Sequence, residues 1–206
     1  MSQPRLMLAS GSPRRRELLE AAGYALEVTP PSDGAEDPSL CSGCGPVELV
    51  RDLATAKLRN VGDRLAAQGT DAVVVAADTV AECGGAILGK PTDEEHAAAM
   101  MRTLSGRRHR VYTGLAIGRS GGGAFSTLSV ETVETTLTMD ELPEAWIEDY
   151  VAGGLWRGKA GGFGYQDGLG FVAVERGSET NVVGLPMEVL TERLAALGVT
   201  PAGGRG

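Results

Sequence analysis

The succession of a long amphipathic segment and a short apolar run constrains the fold most. In residues 47–67, apolar side chains recur every three or four positions, which predicts a helix with one buried face. The segment Asp71–Ala77 follows with a continuous apolar run, which is typical of a strand buried on both faces of a parallel sheet. A helix that leads into such a strand favours a layered α/β arrangement.

The rest of the chain mixes helix and strand patterns and shows no internal repeat. We expect further strands at 5–9, 24–29, 109–118, 124–138 and 171–174, and a hairpin at 80–88 turned by two glycines. We expect further helices over 13–22, from Thr92 or Asp93 to about 105, over 141–151 and over 186–197. The pattern predicts an α/β or α+β fold with a mixed sheet.

The charge of the chain is unevenly distributed. The net charge is −8 over 206 residues, which argues against binding to nucleic acid or to an anionic membrane. Residues 1–16 and 102–110 are exceptions, because each carries four arginines and no acid. Two cationic islands in an acidic chain favour a small anionic ligand over a long polyanion.

The cysteines and the N-terminus bear on the compartment. The first residues lack the apolar length of a signal peptide, and no apolar stretch is long enough to span a membrane. Three cysteines in a chain of this size indicate a reduced, cytoplasmic protein. Cys41 and Cys44 form a CxxC in a loop, which leaves a redox pair or half a zinc site as alternatives to two free thiols.

Three arginines follow the predicted turn at Ser10-Gly11-Ser12 and fall in the first turn of a helix that Ser12 would cap. Cations are unfavourable there because the N-terminal end of the helix dipole is itself positive. An anion at this turn would satisfy both the free backbone amides and the guanidinium groups. We assign this role to Arg14 and Arg15, whereas Arg16 is spaced to pair with Glu20 at the surface.

A second group of candidates surrounds the buried strand. Asp78 follows the apolar run, where open α/β sheets place ligand-binding groups, and it could hold a divalent metal or cap a turn. Residues 84–90 match GxxxxGK, but Pro91 replaces the metal-binding hydroxyl of a P-loop. Lys90 remains a candidate phosphate contact.

Four further residues are ambiguous when taken alone. Lys57 lies near the edge of the apolar stripe, where lysines usually extend to the solvent. Glu36 lies in a long loop, where acids are usually solvated. Lys159 lies in a glycine-rich segment that could approach a ligand closely. Gln166 offers a donor and an acceptor for a base edge, or is a surface amide.

Taken together and in order, these motifs resemble the Maf family of nucleoside triphosphate pyrophosphatases. The resemblance covers about residues 5–197. Each motif is a weak signal by itself, but so many motifs in the family's order make the resemblance specific. The matching segments are Leu8-Ala9-Ser10-Gly11-Ser12-Pro13-Arg14-Arg15, Leu53-Ala54-Thr55-Ala56-Lys57, Ala77-Asp78-Thr79-Val80, Leu88-Gly89-Lys90-Pro91, His109-Arg110-Val111-Tyr112-Thr113-Gly114, Lys159-Ala160-Gly161-Gly162-Phe163-Gly164-Tyr165-Gln166 and Asn181-Val182-Val183-Gly184-Leu185-Pro186.

The resemblance implies an α/β fold like that of inosine triphosphatases, with a mixed, elongated sheet, flanking helices and two lobes around a cleft. It implies one domain over residues 1–200 and a flexible tail at 201–206. It also implies a metal-dependent enzyme, commonly dimeric, that hydrolyses a nucleoside triphosphate to monophosphate and pyrophosphate with Mg²⁺ or Mn²⁺. Asp78 matches the catalytic acid, Glu36 and Asp78 the metal ligands, and the substrate-binding positions are Ser10, Arg14, Arg15, Lys57, Thr79, Lys90, Lys159 and Gln166. Asp33 and Asp37 are the alternatives to Glu36.

Three positions indicate the substrate. The combination of Arg14, Thr79 and Gln166 is similar to the family branch that prefers dTTP and UTP, whereas the branch acting on 7-methyl-GTP differs at all three. Modified pyrimidine nucleotides are also candidates. Phe163 stands where the family commonly has Tyr. The alternatives are a nucleotide-binding regulator of cell division without turnover, and a CxxC thiol oxidoreductase.

Overall fold

The computed structural model describes residues 3–32, 34, 43–168 and 170–202. The described residues form a seven-stranded sheet with the order β2-β1-β3-β5-β6-β7, and β4 pairs with β3. The strands are β1 Arg5–Leu8, β2 Glu27–Val28, β3 Ala72–Cys83, β4 Ala86–Leu88, β5 Arg108–Gly121, β6 Ala124–Met139 and β7 Val172–Arg176. The helices are α1 Pro13–Ala21, α2 Pro46–Ala67, α3 Glu94–Leu104, α4 Glu144–Ala152, α5 Glu179–Val183 and α6 Met187–Ala196.

The sheet is mixed, as the sequence predicts. Strand β1 runs parallel to both β2 and β3, with Leu8 beside Val75, whereas β4 is antiparallel to β3 and β7 is antiparallel to β6. The predicted hairpin at 80–88 is confirmed, because Ala81 faces Leu88 across a turn at Gly84 and Gly85. The mixed α/β fold class is therefore confirmed by the strand order.

The chain divides into two compact units. The first comprises Met1–Asp78, Thr113–Val133 and Gly184–Gly206, and the second comprises Thr79–Tyr112 and Glu134–Val183. Alternate residues of β3 enter two different cores of the first unit: Val73 and Val75 pack with α1 and α6, and Val74 and Ala76 pack with α2. Because successive strand residues point to opposite faces, helices cover both faces of the sheet there.

The second unit has its own core. Buried residues of α3 and α4 pack together with strand residues and with three aromatic side chains of the segment between α4 and β7, namely Trp156, Phe163 and Phe171. The glycine-rich region around Lys159 contains two short 3-10 turns, Ala160–Gly162 and Tyr165–Asp167. Helix α5 was not expected from the sequence, because five residues are too few to show a helical period.

Two further observations concern the ends of the chain. Pro201 lies against Gly23, and the amide of Ala202 donates to the carbonyl of Gly23 over 2.7 Å. Residues 203–206, the rest of the predicted tail, lie outside the described part of the chain.

None of the described helices combines the length and the apolar character that crossing a membrane requires.

Candidate active site

The turn before α1 is braced by a buried arginine. The Ser10 hydroxyl accepts hydrogen bonds from the Ser12 amide and from Arg15 Nη1, each over 3.2 Å. The Nε atom of Arg15 donates to the carbonyl of Gly184 over 2.7 Å, and the residue is only 9% exposed. Arg15 therefore holds the turn in place from inside the first unit, a role that the sequence did not reveal.

The same turn presents donors for an anion. Ser12 is the N-cap of α1, but it makes no side-chain capping bond to the first turn. Arg14 follows Pro13 in that first turn and is partly exposed. Backbone amides at a helix N-terminus and an adjacent guanidinium are suited to bind phosphate. Arg16 pairs with Glu20 over 3.5 Å at the surface, as expected.

The first unit also contains an ion pair between the buried Lys57 and the largely buried Asp78. Lys57 Nζ lies 2.6 Å from Asp78 Oδ1, and the two side chains are 2% and 14% exposed. The expectation that Lys57 extends to the solvent is therefore wrong. A buried ammonium requires a countercharge, and Asp78 supplies it from the neighbouring strand.

The position of Asp78 in its strand also differs from the expectation. The parallel pairing of β3 with β1 ends at Val75, but β3 itself continues to Cys83 and turns into β4. Asp78 and the partly buried Thr79 thus lie within a long strand, just beyond its parallel partner, and not at the strand end. A side chain at this point is held by a paired backbone on a rigid sheet.

In the second unit, the Lys90 segment contacts the glycine-rich region. The carbonyl of Gly89 accepts a hydrogen bond from the Gly161 amide over 2.9 Å, and Lys90 follows with an exposed side chain. Gly161 has a φ of 69°, and a Cβ there would lie 3.1 Å from Ala81 Cβ. The Gly89-Lys90 and Gly161-Gly162 motifs lie about 70 residues apart in the sequence, which does not indicate that they are in contact.

Lys159 is buried against an aspartate that sequence reasoning missed. Its Nζ atom forms an ion pair with Asp167 Oδ2, with side-chain exposures of 10% and 19%. A Cβ on Gly164 would lie 2.5 Å from this carboxylate and 2.8 Å from the ammonium, so the pair fills the space that a larger residue would need. Burial, together with the charge of Asp167, raises the pKa of the Tyr150 hydroxyl above its usual range.

The structure describes the predicted base-reading residue Gln166 but not the predicted metal ligand Glu36. Gln166 lies in the turn Tyr165–Asp167, with its side chain exposed. Glu36 lies outside the described residues, as do its alternatives Asp33 and Asp37. Among the residues that the structure describes, no group of three or more His, Cys, Asp and Glu side chains could hold a metal ion.

The cysteines differ from the expectation of free thiols. Cys44 is disulfide-bonded, so that expectation is wrong at this position. Cys41 lies outside the described residues. Cys83 is a free, buried thiol whose Sγ lies 3.6 Å from the carbonyl of Thr103, as in a structural cysteine.

The second cationic island is largely neutralised by nearby acids. Arg108 pairs with Glu175 over 2.6 Å, and Arg110 lies 3.4 Å from Glu82 and 3.8 Å from Glu134. Arg102 pairs with Glu144. The local excess of arginine is thus part of ion-pair networks at the surface of the second unit.

The family model of Maf-like proteins matches residues 5–197 of the chain. The chain belongs to the Maf family. A protein from Rhodopirellula baltica named dTTP/UTP pyrophosphatase is 47% identical over 190 residues, which are 92% of this chain and 80% of that protein. A protein of the same name from Deinococcus radiodurans is 42% identical over 97% of this Maf protein and 96% of its own length.

Two solved structures are also similar. One is a nucleoside-triphosphatase, also named dITP/XTP pyrophosphatase, from Mycobacterium abscessus, with a TM-score of 0.43 and 16% identity over 94% of this chain and 95% of that one. The other is the Ham1 protein of Staphylococcus aureus, with a TM-score of 0.41 and 15% identity over 68% and 72%. The fold of this Maf protein is defined by its own strand order.

Proposed function

We propose that this Maf protein is a nucleoside triphosphate pyrophosphatase that hydrolyses dTTP and UTP to the monophosphate and pyrophosphate. The observation that carries the proposal is the Lys57–Asp78 pair, a buried ammonium and a largely buried carboxylate 2.6 Å apart. Relatives named dTTP/UTP pyrophosphatase match nearly the whole chain, which supports the substrate. Modified pyrimidine triphosphates remain within the proposed class.

Asp78 is the proposed catalytic residue. Its Oδ1 atom accepts a hydrogen bond from Lys57, and a carboxylate has further lone pairs with which to accept a proton or orient a water molecule. The reaction forms a bond between the water oxygen and the α-phosphorus and breaks the bond to the departing pyrophosphate. Water is a poor nucleophile at neutral pH unless its own pKa is lowered, so an additional acidifying influence on the water is required.

A divalent cation would supply that influence, because Mg²⁺ or Mn²⁺ lowers the pKa of bound water and neutralises phosphate charge. Asp78 suits such a hard cation, since it is an oxygen ligand held on a rigid strand. Magnesium sites at phosphates commonly use one or two carboxylates together with phosphate oxygens and water, so the described residues fit the ion. Glu36 is the proposed second carboxylate.

The cationic side chains are proposed to bind the triphosphate. Arg14 and the α1 amides present donors directly, and Lys90 is an exposed point charge. Ser10 and Arg15 brace the turn at the start of α1 and can add contacts of their own. Lys57 and Lys159 are each paired with a carboxylate, but an ammonium has three N–H donors and can also reach a phosphate oxygen.

Thr79 and Gln166 are the proposed determinants of the base. Gln166 is exposed, so both its amide donor and its carbonyl acceptor are accessible to a uracil or thymine edge. Thr79 directly follows Asp78 in β3. Replacing Gln166 by Glu removes the donor and is expected to lower turnover of UTP relative to GTP.

A screen of nucleoside triphosphates with Mg²⁺ or Mn²⁺, scored for monophosphate and pyrophosphate, tests the proposal. A nucleotide-binding regulator without turnover would bind UTP and release no pyrophosphate, and a 7-methyl-GTP pyrophosphatase would prefer that nucleotide. Asp78→Asn is the matched inactive control. The homodimer and the cytoplasmic location stay predictions, to be tested by light scattering and by cell fractionation.

A further inference from the structure

Gln166 lies between two anchored neighbours in the second unit. On one side, Asp167 forms an ion pair with the buried Lys159. On the other side, the Tyr165 hydroxyl donates a hydrogen bond to Glu179 Oε1 over 2.8 Å. Gln166 itself is exposed, so the two side chains that flank it are tied to the protein while its own side chain faces the solvent.

The ion pair closes a compact loop. Lys159 immediately precedes the first 3-10 turn of the region, and Asp167 ends the second. The amide of Asp167 also donates to the Gly164 carbonyl over 3.1 Å, and the Gly164 backbone lies directly against the pair. A nine-residue segment rich in glycine would sample many conformations, and this contact between its ends removes much of that freedom.

The pair is costly to bury and therefore calls for an explanation beyond stability. Buried ion pairs contribute little net stability, because desolvation of both charges offsets their attraction. A buried charge that leaves its partner is strongly penalised, so this pair restricts where the two ends of the segment can lie. A geometric role fits a segment whose middle carries a residue that must present an amide in one orientation.

We propose that Asp167, acting through Lys159, and Tyr165, acting through Glu179, are positioning residues that hold Gln166 for recognition of the nucleobase. The inference rests on the proposed function, because it needs Gln166 to contact the base. Two residues of this loop, Gly164 and Tyr165, line a pocket of about 300 Å³ next to Gln166, together with Gly168, Gly170 and Val172. These two tethers are the Lys159–Asp167 ion pair and the Tyr165–Glu179 hydrogen bond. A contact of Lys159 with the triphosphate would serve every nucleotide alike, so the positioning role is measured by the discrimination between bases and not by total turnover.

The experiment compares the UTP:GTP ratio of kcat/KM in wild type, Asp167→Asn and Tyr165→Phe. Each variant removes one tether with little change in volume. We expect each to lower the ratio about tenfold, corresponding to ~1.4 kcal/mol of discrimination. In a Gln166→Ala background the same substitutions should lower the ratio no further, because a positioning residue has no effect once the residue it positions is gone.

Glu144→Gln is the matched control, because it breaks an exposed ion pair with Arg102 in the same unit and should leave the ratio unchanged. Should the lone buried ammonium prevent Asp167→Asn from folding, Asp167→Glu takes its place, because it keeps the countercharge but displaces it in the tight space beside Gly164. Tyr165→Phe tests the other tether and leaves no buried charge. A tether that only stabilises the protein would lower the melting temperature and the turnover of both nucleotides equally. An unchanged ratio in either folded variant overturns the role of that tether.

The same assay separates this inference from the proposed function. If the wild type turns over UTP but the UTP:GTP ratio of kcat/KM is the same in wild type, Asp167→Asn and Tyr165→Phe, only the positioning role is overturned. Wild type that releases no pyrophosphate from any nucleoside triphosphate overturns the proposed function and the positioning role with it.

Discussion

Replacing Asp78 by Asn tests the buried charge pair and the catalytic role together. Lys57 is only 2% exposed and its ammonium lies 2.6 Å from the carboxylate, so the variant takes the Asp78 countercharge away from a buried positive charge. Removing one partner of such a pair costs about 3–5 kcal/mol, and the Asn oxygen still accepts a hydrogen bond, which places the cost near ~3 kcal/mol. For a chain of this length each kcal/mol lowers the melting temperature by about 2–4 °C, so we expect a decrease of about 6–12 °C.

The double variant Lys57→Met, Asp78→Asn is the control for stability. It removes both charges at similar volume, and buried pairs replaced in this way are often as stable as the original. We expect its melting temperature, measured by circular dichroism, to return to within about 4 °C of wild type, a residual cost of ~1 kcal/mol. Both variants should lose pyrophosphate release by about 10²–10⁴-fold. An Asp78→Asn protein that melts like wild type would refute the reasoning about the pair, and one with full activity would refute the catalytic assignment.

Three further predictions concern other parts of the structure. Arg15→Gln removes the hydrogen bond to the Gly184 carbonyl and should lower both the melting temperature and the affinity for UTP. Arg15→Lys should restore the stability only in part. A wild-type melting curve for both variants would contradict the bracing role. Burial lowers the pKa of His109, so its contribution to stability is complete above about pH 6.5 and is lost as the pH falls below that value. His109→Gln should flatten this decline in denaturant titrations, while the exposed His96→Gln should not. Gly114→Ala would place a Cβ 2.1 Å from a backbone oxygen of α2 and should destabilise the protein by more than ~1 kcal/mol, unlike Gly153→Ala, and equal stability of the two variants would contradict this close packing.

The elements of the fold follow largely from local patterns. The helix at Pro46–Ala67 begins one residue before its predicted start and ends at the predicted residue. This agreement is close because an apolar residue every three or four positions is a strong signal over 22 residues. The two-residue strand Glu27–Val28 is shorter than the expected 24–29, since its length depends on pairing with β1 and not on its own composition. Asp78 was expected at a strand end because the apolar run stops there, but the pairing of β3 with β4 continues the strand.

The candidate site was only partly predictable for a related reason. The residue types that bind phosphate are visible in the sequence, whereas their partners are set by tertiary contacts. Nothing in the helical pattern around Lys57 reveals that a carboxylate 21 residues later will neutralise it. The Asp167 partner of Lys159 was not predictable either, because the burial that makes a countercharge necessary leaves no pattern in a glycine-rich segment.

The measurement that tests the central claim most directly is the product analysis of UTP hydrolysis in the presence of Mg²⁺ or Mn²⁺. The account predicts UMP and pyrophosphate in equal amounts, with dTTP processed in the same way and with the activity of Asp78→Asn lowered by about 10²–10⁴-fold. Release of UDP and inorganic phosphate, or binding of UTP without any product, would contradict it.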